Sequence, residues 1–166
     1  MEGVRWIVEP MACEVGRRRE EERRVAYRLL CRLVGGEPRL AHDEWGRPYL
    51  PDMPEWSVSI SHCRKAVAVA VCGSKRVGVD VECRRRVDEG LMGRVCTESE
   101  LLSVRADADM AMAFLRLWTR KEAVLKCRGT GIRGFASLRE ALVDSGMSVE
   151  TVECGIPDVV VSLATM

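Results

Sequence analysis

The sequence predicts an α+β protein made of two similar lobes. Two observations support this class: each half of the chain contains a long helical stretch together with short β-like runs, and the runs follow one another with short connections. At 166 residues, 47% of them hydrophobic, the chain can build a core that both lobes share. We expect an N-terminal lobe over 1–74 and a C-terminal lobe over 75–166, each with a helix and antiparallel strands.

The first half is predicted to consist of a strand, a helix, a loop and three further strands. In the helix, Val25, Leu29 and Leu33 lie along one row, and Gly35-Gly36 ends it. The short connections between the last three strands predict an antiparallel meander. In chain order the elements are a strand at 4–8, the helix at 17–36, a proline-rich loop at 37–56, and strands at 57–63, 66–72 and 76–82.

The second half is predicted to contain two helices and two closing strands. Thr97 and Glu100 have the spacing of a capping box, which predicts the start of the first helix. An arginine-rich loop at 83–88 is followed by a candidate short helix. The later elements are a helix from about 98, a longer helix at about 108–127, a helical turn or strand at 137–143, and strands at 147–153 and 158–164.

Charge and cysteine content exclude several classes of function. Lys plus Arg is 26 and Asp plus Glu is 25, so the chain lacks the basic field of a nucleic-acid-binding protein. No two of the eight cysteines have a chelate spacing, which argues against a zinc site. The N-terminal segment has no secretory signal, and no apolar run is long enough to span a bilayer. We therefore expect a cytoplasmic protein without a membrane partner.

The run RVGVDVE, residues 76–82, carries the first candidate site. On a strand its valines face one side, and Asp80 and Glu82 face the other. Two like charges at this spacing are costly on a half-buried strand unless a cation lies between them, which favours a metal site. Alternatively, both acids are solvated on an exposed edge strand.

The stretch WTRKEAVLKCRGTG, residues 118–131, carries the second candidate site. Glu122 and Lys126 are one turn apart at the border of the apolar stripe, where a carboxylate is partly desolvated and can still reach a ligand. A solvated surface salt bridge is the alternative. Lys121 falls inside the stripe, so either its stem packs while its ammonium reaches solvent, or the ammonium reaches toward an anion.

Four segments of the chain, taken in order, resemble the motifs of the 4′-phosphopantetheinyl transferase superfamily, in its surfactin-synthetase-type branch with two lobes per chain. Arg47 stands where that family usually has lysine, and Cys63 stands where serine is common. The order of the four segments makes the resemblance specific, and it implies the two-lobed fold of the family. The segments are Gly46-Arg47-Pro48, Ser61-His62-Cys63, the strand at 77–82 and the helix at 118–131.

The resemblance implies transfer of the phosphopantetheine arm of coenzyme A to a serine of an apo acyl or peptidyl carrier protein, with release of adenosine 3′,5′-bisphosphate. It implies Mg²⁺, or Mn²⁺ in its place, held by Asp80, Glu82 and Glu122 together with the substrate pyrophosphate. Lys126 would act on the leaving phosphate, and either Glu122 or a metal-held water would take the serine proton. The residues that would bind coenzyme A are Arg47, Ser61, His62 and Lys121.

Other functions remain open at this point. A magnesium-dependent phosphohydrolase would use the same three acids and lysine, whereas a non-catalytic coenzyme A binding protein would not need all of them. We expect a monomer, because the two lobes of one chain can build one site. Candidates for docking an acidic carrier protein are Arg84-Arg85-Arg86, and candidates for binding coenzyme A phosphates are Arg17-Arg18-Arg19 and Arg23-Arg24.

Overall fold

Two three-stranded antiparallel sheets, one in each half of the chain, form the framework of the computed structural model, which describes residues 3–11, 18–130, 135–143 and 146–166. The strands are, in chain order, β1 (Val4–Pro10), β2 (Ala41–His42), β3 (Pro48–Tyr49), β4 (Ser57–His62), β5 (Ala66–Cys72), β6 (Val77–Cys83), β7 (Ser148–Val152) and β8 (Val159–Thr165). The first sheet has the order β1-β5-β4 and the second β6-β8-β7, while β2 and β3 pair separately.

One long helix packs on each sheet. The helices are α1 (Arg18–Val34), α2 (Glu89–Val95), α3 (Glu98–Ala106), α4 (Met110–Arg128) and α5 (Phe135–Arg139). The row of apolar residues in α1 lies in the core on the first sheet, and α4 packs on β6 and β8. The predicted capping box at Thr97 and Glu100 begins α3. None of the described helices is both long and apolar enough to cross a membrane.

The two halves of the chain share one topology. Each has an opening strand, a long helix, and a hairpin whose second strand lies in the middle of the sheet. All pairings within the two sheets are antiparallel. The predicted α+β class, with similar arrangements of a helix and antiparallel strands in each half, is therefore confirmed. For residues 137–143 the sequence left a helical turn or a strand open. The structure has a helical turn there, because 137–139 form the end of α5 and no strand follows up to residue 143.

The meander predicted over 57–82 is wrong at its last strand. β4 and β5 form an antiparallel hairpin, but β6 leaves that sheet and pairs with β8. The reason is that β5 is the central strand of the first sheet, bordered by β1 and β4, and has no free edge. A short connection therefore brings two strands close in space here without joining them by backbone hydrogen bonds.

β4 and β6 lie side by side along a seam between the two sheets. Serine hydroxyls of β4 face this seam at every second residue, as the alternation of a strand requires. They accept hydrogen bonds from β6 amides: Ser57 Oγ from Val77 N (3.1 Å), Ser59 Oγ from Val79 N (3.0 Å) and Ser61 Oγ from Val81 N (3.3 Å). Side chains of β4 thus fix its register against β6.

The two faces of β6 have different surroundings. Its valines are buried in the core shared with the strands of the first sheet, as the sequence predicts. The alternate residues, which include Asp80 and Glu82, therefore face α4. The helix approaches most closely at Gly78, where a methyl group would lie 2.0 Å from Ala123 O. This close approach brings the acids of β6 next to the polar residues of α4.

Candidate active site

Side chains from β4, β6 and α4 meet beside the seam in a group that we call the acid–lysine cluster: Ser61, Asp80, Glu122 and Lys126. Lys126 Nζ donates to Asp80 Oδ1 and to Ser61 Oγ, both at 2.8 Å. Ser61 also donates to Asp80 Oδ1 at 2.8 Å and accepts from the Val81 amide. The serine hydroxyl is therefore fully used, and it ties the first half of the chain to the acid and the lysine of the second.

Two carboxylates of the cluster each keep one oxygen without a protein partner. Asp80 is 6% exposed and Glu122 is 7% exposed. Asp80 Oδ2 and Glu122 Oε1 are buried and accept no hydrogen bond within the part of the chain that the structure describes. An unpaired buried carboxylate oxygen is costly, so these two atoms are suited to a ligand that the protein itself does not supply.

The pKa values of two acids at this site are raised. Burial raises the pKa of Glu122 to about 7, with a further increase from the charges of Asp80 and Glu82 and an opposing effect of Lys126. Burial and the charge of Asp80 also raise the pKa of Glu82, against the opposing charge of Arg85. A carboxyl group with a pKa near 7 can exchange a proton at neutral pH, which suits an acid or base in a reaction.

The cluster fits a cation that is shared with a substrate. In the described ranges, no three His, Cys, Asp or Glu side chains are arranged to hold a metal ion by themselves. However, Mg²⁺ prefers oxygen ligands and is ordinarily held by one or two carboxylates together with substrate phosphates and water. The unpartnered oxygens of Asp80 and Glu122 meet this requirement. The donor set therefore fits a Mg²⁺ ion that a substrate would help to hold.

Glu82, the third predicted metal ligand, is more exposed than the other two acids. Its Oε2 lies 3.7 Å from Arg85 Nε. The Arg85 guanidinium in turn lies 5.9 Å from the centre of the Trp118 ring. Glu82 therefore already has a cationic neighbour, Arg85. Its side chain would have to move away from Arg85 to bind a cation together with Asp80 and Glu122.

The raised pKa of Glu122 predicts how the stability of the metal-free protein depends on pH. The folded protein holds the Glu122 proton up to about pH 7, whereas the unfolded chain releases it near 4.5. Stability is therefore full below the unfolded value and falls as the pH rises through the folded one, by up to about 3 kcal/mol. Thermal unfolding in EDTA at pH values from about 5 to about 8 should show this fall in the wild type and a smaller one in Glu122→Gln, where the raised pKa of Glu82 still contributes. Equal pH profiles for the two proteins would contradict the raised pKa.

A basic cavity of about 1040 Å³ opens beside the end of β4. Arg19 and Arg23 of α1 line it, together with Arg39 and His62. Its volume suits a bound nucleotide, and guanidinium groups suit phosphate. Ser61 precedes His62 in the chain but belongs to the acid–lysine cluster, so adjacent residues of β4 serve the cluster and the basic cavity.

Two other arginines proposed for coenzyme A phosphates, Arg18 and Arg24, are paired with acids of their own helix. Arg18 pairs with Glu22 at 2.8 Å, and Arg24 pairs with Glu21 at 2.7 Å, each within α1. Arg17 lies outside the described residues. Arg19 and Arg23 are thus the members of this group that the structure brings to the basic cavity.

Arg47 lies at the end of α4 and not on the wall of the basic cavity. Its neighbours Gly46 and Pro48 line that cavity, whereas Arg47 lines an adjacent one of about 620 Å³. Its Nη1 would lie 2.5 Å from a methyl group at Gly129. Because Gly129 has a φ of +74°, the missing side chain permits both the left-handed turn that ends α4 and the approach of Arg47.

The prediction that Lys121 binds the substrate is wrong. The residue is 0% exposed. Its ammonium donates to Val95 O at 3.0 Å, Glu100 Oε2 at 2.7 Å and Arg139 O at 2.8 Å. A lysine ammonium has three protons, so none is left for a substrate anion, and the group does not reach solvent either. The position inside the apolar stripe directs Lys121 into the core, where it links α4 to α2, α3 and α5.

The arginines after β6 are partly used within the protein. Arg84 pairs with Asp109 and Asp158, and Arg85 lies near Glu82. Arg86 is exposed. Because exposed ion pairs are weak, the first two can exchange partners at low cost. Arg86 is the leading candidate of the three for contact with an acidic partner.

Glu22 is a residue beside the basic cavity that sequence reasoning missed. It lines the cavity and lies 3.4 Å from His62 Nδ1. A signal was present in the sequence: Glu22 lies in the same helical row as Val25, Ala26 and Leu29, at offsets of three, four and seven residues. An acid in an apolar row is a candidate for a paired, buried group.

Comparisons with known proteins agree with this geometry. Residues 76–153 match the model of the 4'-phosphopantetheinyl transferase superfamily. The chain is 30% identical over 143 residues to the 4'-phosphopantetheinyl transferase AcpT of Escherichia coli K12, which is 82% of this chain and 71% of that protein. It is 30% identical over 96 residues to Sfp of Bacillus subtilis 168, which is 57% of this chain and 42% of Sfp. It is 32% identical over 114 residues to HetI of Nostoc, which is 64% of this chain and 48% of HetI.

The fold and the site define an α+β enzyme that acts on a phosphate-bearing substrate at the junction of two similar halves. Given the match to AcpT over more than two thirds of both chains, the protein belongs to the 4′-phosphopantetheinyl transferase superfamily. The matching region runs from β6 to β7 and includes Asp80, Glu122 and Lys126. The chain spans less than half the length of Sfp and HetI.

Proposed function

We propose that this chain transfers the 4′-phosphopantetheine arm of coenzyme A to a serine of an apo carrier protein and releases adenosine 3′,5′-bisphosphate. The observation that carries the proposal is the pair of unpartnered, buried oxygens on Asp80 and Glu122, next to Lys126. The relatives AcpT and Sfp, which are named 4'-phosphopantetheinyl transferases, support it.

The basic cavity is suited to the adenosine 3′-phosphate part of coenzyme A. His62, Arg19 and Arg23 line it and offer N–H donors to a phosphate. Ser61 of the acid–lysine cluster is the residue before His62, and the two side chains leave β4 on opposite faces at its end. We therefore expect the pyrophosphate of a nucleotide in the cavity to pass round the end of this strand toward Lys126. Arg47 lines the adjacent cavity at the end of α4, and it is proposed to contact the substrate from there.

Asp80 and Glu122, joined by Glu82, would hold Mg²⁺, or Mn²⁺ in its place, together with the coenzyme A pyrophosphate. The bound ion supplies positive charge where negative charge develops as the bond to the leaving group breaks. Asp80 is kept in place for this by Ser61 and Lys126, both 2.8 Å from its Oδ1, which leaves Oδ2 free.

Glu122 acts on the proton of the carrier serine, and Lys126 acts on the leaving group. The carrier serine oxygen forms a bond to the phosphorus that bears the pantetheine arm, and the bond from that phosphorus to the bridging oxygen breaks. Adenosine 3′,5′-bisphosphate leaves with the bridging oxygen. Glu122, directly or through a water, takes the serine proton. The Lys126 ammonium stabilises the charge on the departing phosphate.

His62→Ala should weaken coenzyme A binding more than it slows the chemical step. The imidazole lines the cavity and is remote from the reacting bond, so its loss removes an interaction that substrate and transition state share. Steady-state kinetics with a saturating carrier should show KM for coenzyme A raised about tenfold with kcat largely kept. A large loss of kcat at saturating coenzyme A would place His62 in the chemistry.

The protein should be a monomer when active. Ser61 and His62 come from the first half of the chain and Asp80, Glu122 and Lys126 from the second, so one chain supplies both the basic cavity and the acid–lysine cluster. Light scattering at the concentrations of the transfer assay should give the mass of a single chain. An active species found only as an oligomer would contradict this prediction.

We also propose that the enzyme acts in the cytoplasm. Seven cysteines among the described residues are free thiols, and five of them are buried. Thiols persist in a reducing compartment.

The test is incubation of the chain with labelled coenzyme A and a panel of apo acyl and peptidyl carrier proteins. Mg²⁺-dependent mass gain of one phosphopantetheine on the carrier, absent when the acceptor serine is replaced by alanine, is the expected result. Coenzyme A without any carrier is the control for a hydrolase. Release of adenosine 3′,5′-bisphosphate without a carrier, and no labelling with one, would replace the proposed transferase by a phosphohydrolase.

A further inference from the structure

A buried acid on α1 lies outside the acid–lysine cluster and has no part in the reaction described above. Glu22 is 7% exposed, whereas Glu20 on the same helix is exposed. It lines the basic cavity. A carboxylate placed among cations that are suited to phosphate would by itself repel an anionic substrate. We therefore looked for an interaction of Glu22 that favours substrate binding and outweighs this repulsion.

Glu22 contacts an arginine and a histidine. Arg18 Nε donates to Glu22 Oε1 at 2.8 Å. The same oxygen lies 3.4 Å from His62 Nδ1. This second distance is longer than an ordinary N–H···O bond, as is common for site contacts that shorten when a ligand binds. The side chain of His62 is 53% exposed, so about half of it stays accessible beside the cavity that it lines.

We propose that Glu22 is a positioning residue for His62, which holds the imidazole by its Nδ1–H and directs Nε2 to the phosphate of the nucleotide. The inference rests on the proposed function, because the phosphate is the 3′-phosphate of coenzyme A. The two ring nitrogens of histidine are distinct, and the hydrogen bond that one of them makes determines which nitrogen carries the proton of the neutral ring. Once the 3′-phosphate is bound, the ring lies between two anions, and both of its N–H groups are used.

Arg18 completes the arrangement. Its positive charge offsets the free-energy cost of burying the Glu22 carboxylate, and it approaches Oε1 from within α1. Glu22 is therefore fixed by a residue of its own helix, whereas His62 comes from β4 of the sheet. The contact between Glu22 and His62 thus joins the helix wall of the cavity to its strand wall.

The test measures direct binding of adenosine 3′,5′-bisphosphate and of adenosine 5′-monophosphate by calorimetry, without a carrier protein. Glu22→Ala should weaken binding of the bisphosphate about tenfold and leave the monophosphate unchanged. Glu22→Gln keeps an oxygen acceptor for Nδ1–H and should recover most of the affinity. Glu21→Ala is the matched control, because Glu21 lies on the same helix and pairs with Arg24. It should bind like the wild type.

A double-mutant cycle separates positioning from a direct effect of charge. If Glu22 acts through His62, then Glu22→Ala should have no further effect on bisphosphate binding in the His62→Ala background. An equal loss in both backgrounds would overturn the proposal, since Glu22 would then act independently of His62. Tighter binding by Glu22→Ala would also overturn it and would show that the acid only repels the substrate.

A measurement on the wild type keeps the proposal testable if Glu22→Ala does not fold. The chain has two histidines, so their ¹⁵N imidazole signals can be assigned. At a pH where both rings are neutral, His62 should carry its proton on Nδ1, and His42 serves as the comparison within the same protein. A His62 proton on Nε2 would contradict the role of Glu22. If carrier labelling fails while these binding results hold, the proposed function is wrong and the positioning role of Glu22 stands for a nucleotide-binding protein.

Discussion

Glu122→Gln should leave the fold intact and reduce carrier labelling by about 10²-fold or more. The substitution is nearly isosteric, and it replaces a carboxylate that has one unpartnered buried oxygen and a pKa of about 7. The variant loses the proton acceptor and a negatively charged ligand for Mg²⁺ together. Labelling rates measured as a function of Mg²⁺ concentration should show both a lower maximum and a higher Mg²⁺ requirement.

Three controls make this result specific. Glu150→Gln changes an exposed acid on β7 of the same half and should label at the wild-type rate. Asp80→Asn should resemble Glu122→Gln in its Mg²⁺ requirement. Lys126→Ala should turn over slowly with a near-normal Mg²⁺ requirement, because the lysine acts on the phosphate. A Glu122→Gln protein with wild-type turnover would show that Glu122 takes no part in the reaction.

Gly78→Ala should destabilise the protein by about 3 kcal/mol or more and disable the site as well. The added methyl group would lie 2.0 Å from Ala123 O and 2.6 Å from Cys127 N, both backbone atoms of α4. A flexible side chain could move aside, but a helix backbone moves only as a whole. Displacing α4 from β6 would separate Glu122 and Lys126 from Asp80, and a shift of about 1 Å at a reacting centre can cost about 10²-fold in rate.

The matched control for this substitution is Gly93→Ala in α2. A methyl group there meets no atom within 4 Å. The residue is exposed and helical, so alanine should leave stability unchanged or raise it by up to about 1 kcal/mol. Denaturant unfolding of both variants, together with the labelling assay, checks the prediction. Equal stability of the two would show that α4 adapts to a side chain at position 78.

Much of the candidate site can be predicted from local patterns in the sequence. The alternation in RVGVDVE correctly assigns the valines to a core and the acids to the opposite face, because a strand has only two faces. The helical angle of Glu122 correctly indicates a border position, since the residue is buried and still has an oxygen free. Both inferences concern one element at a time, and a period of two or 3.6 residues suffices for them.

Contacts between elements are the part that the sequence did not reveal. The interpretation of Lys121 failed because its three acceptors come from α2, α3 and α5, and two of them are backbone carbonyls that no sequence pattern marks. The prediction that β6 pairs with β5 failed for a similar reason. β1, far away in the chain, occupies the edge of β5 to which β6 would have had to pair. Ser61 could be recognised as polar, but its bonds to Asp80 and Lys126 depend on the register of β4 against β6.

The seam has a consequence for how this enzyme can change over evolutionary time. Neighbouring strands within a sheet are joined through the backbone, where a substitution can alter side chains but not the spacing of the ladder. β4 and β6 are joined through serine hydroxyls, so a change from serine to threonine, alanine or cysteine can loosen, tighten or shift the contact one position at a time. The strand that carries His62 and the strand that carries Asp80 can thus drift relative to each other while both sheets stay intact. The separation between the basic cavity and the acid–lysine cluster can accordingly be altered by single substitutions at these serines.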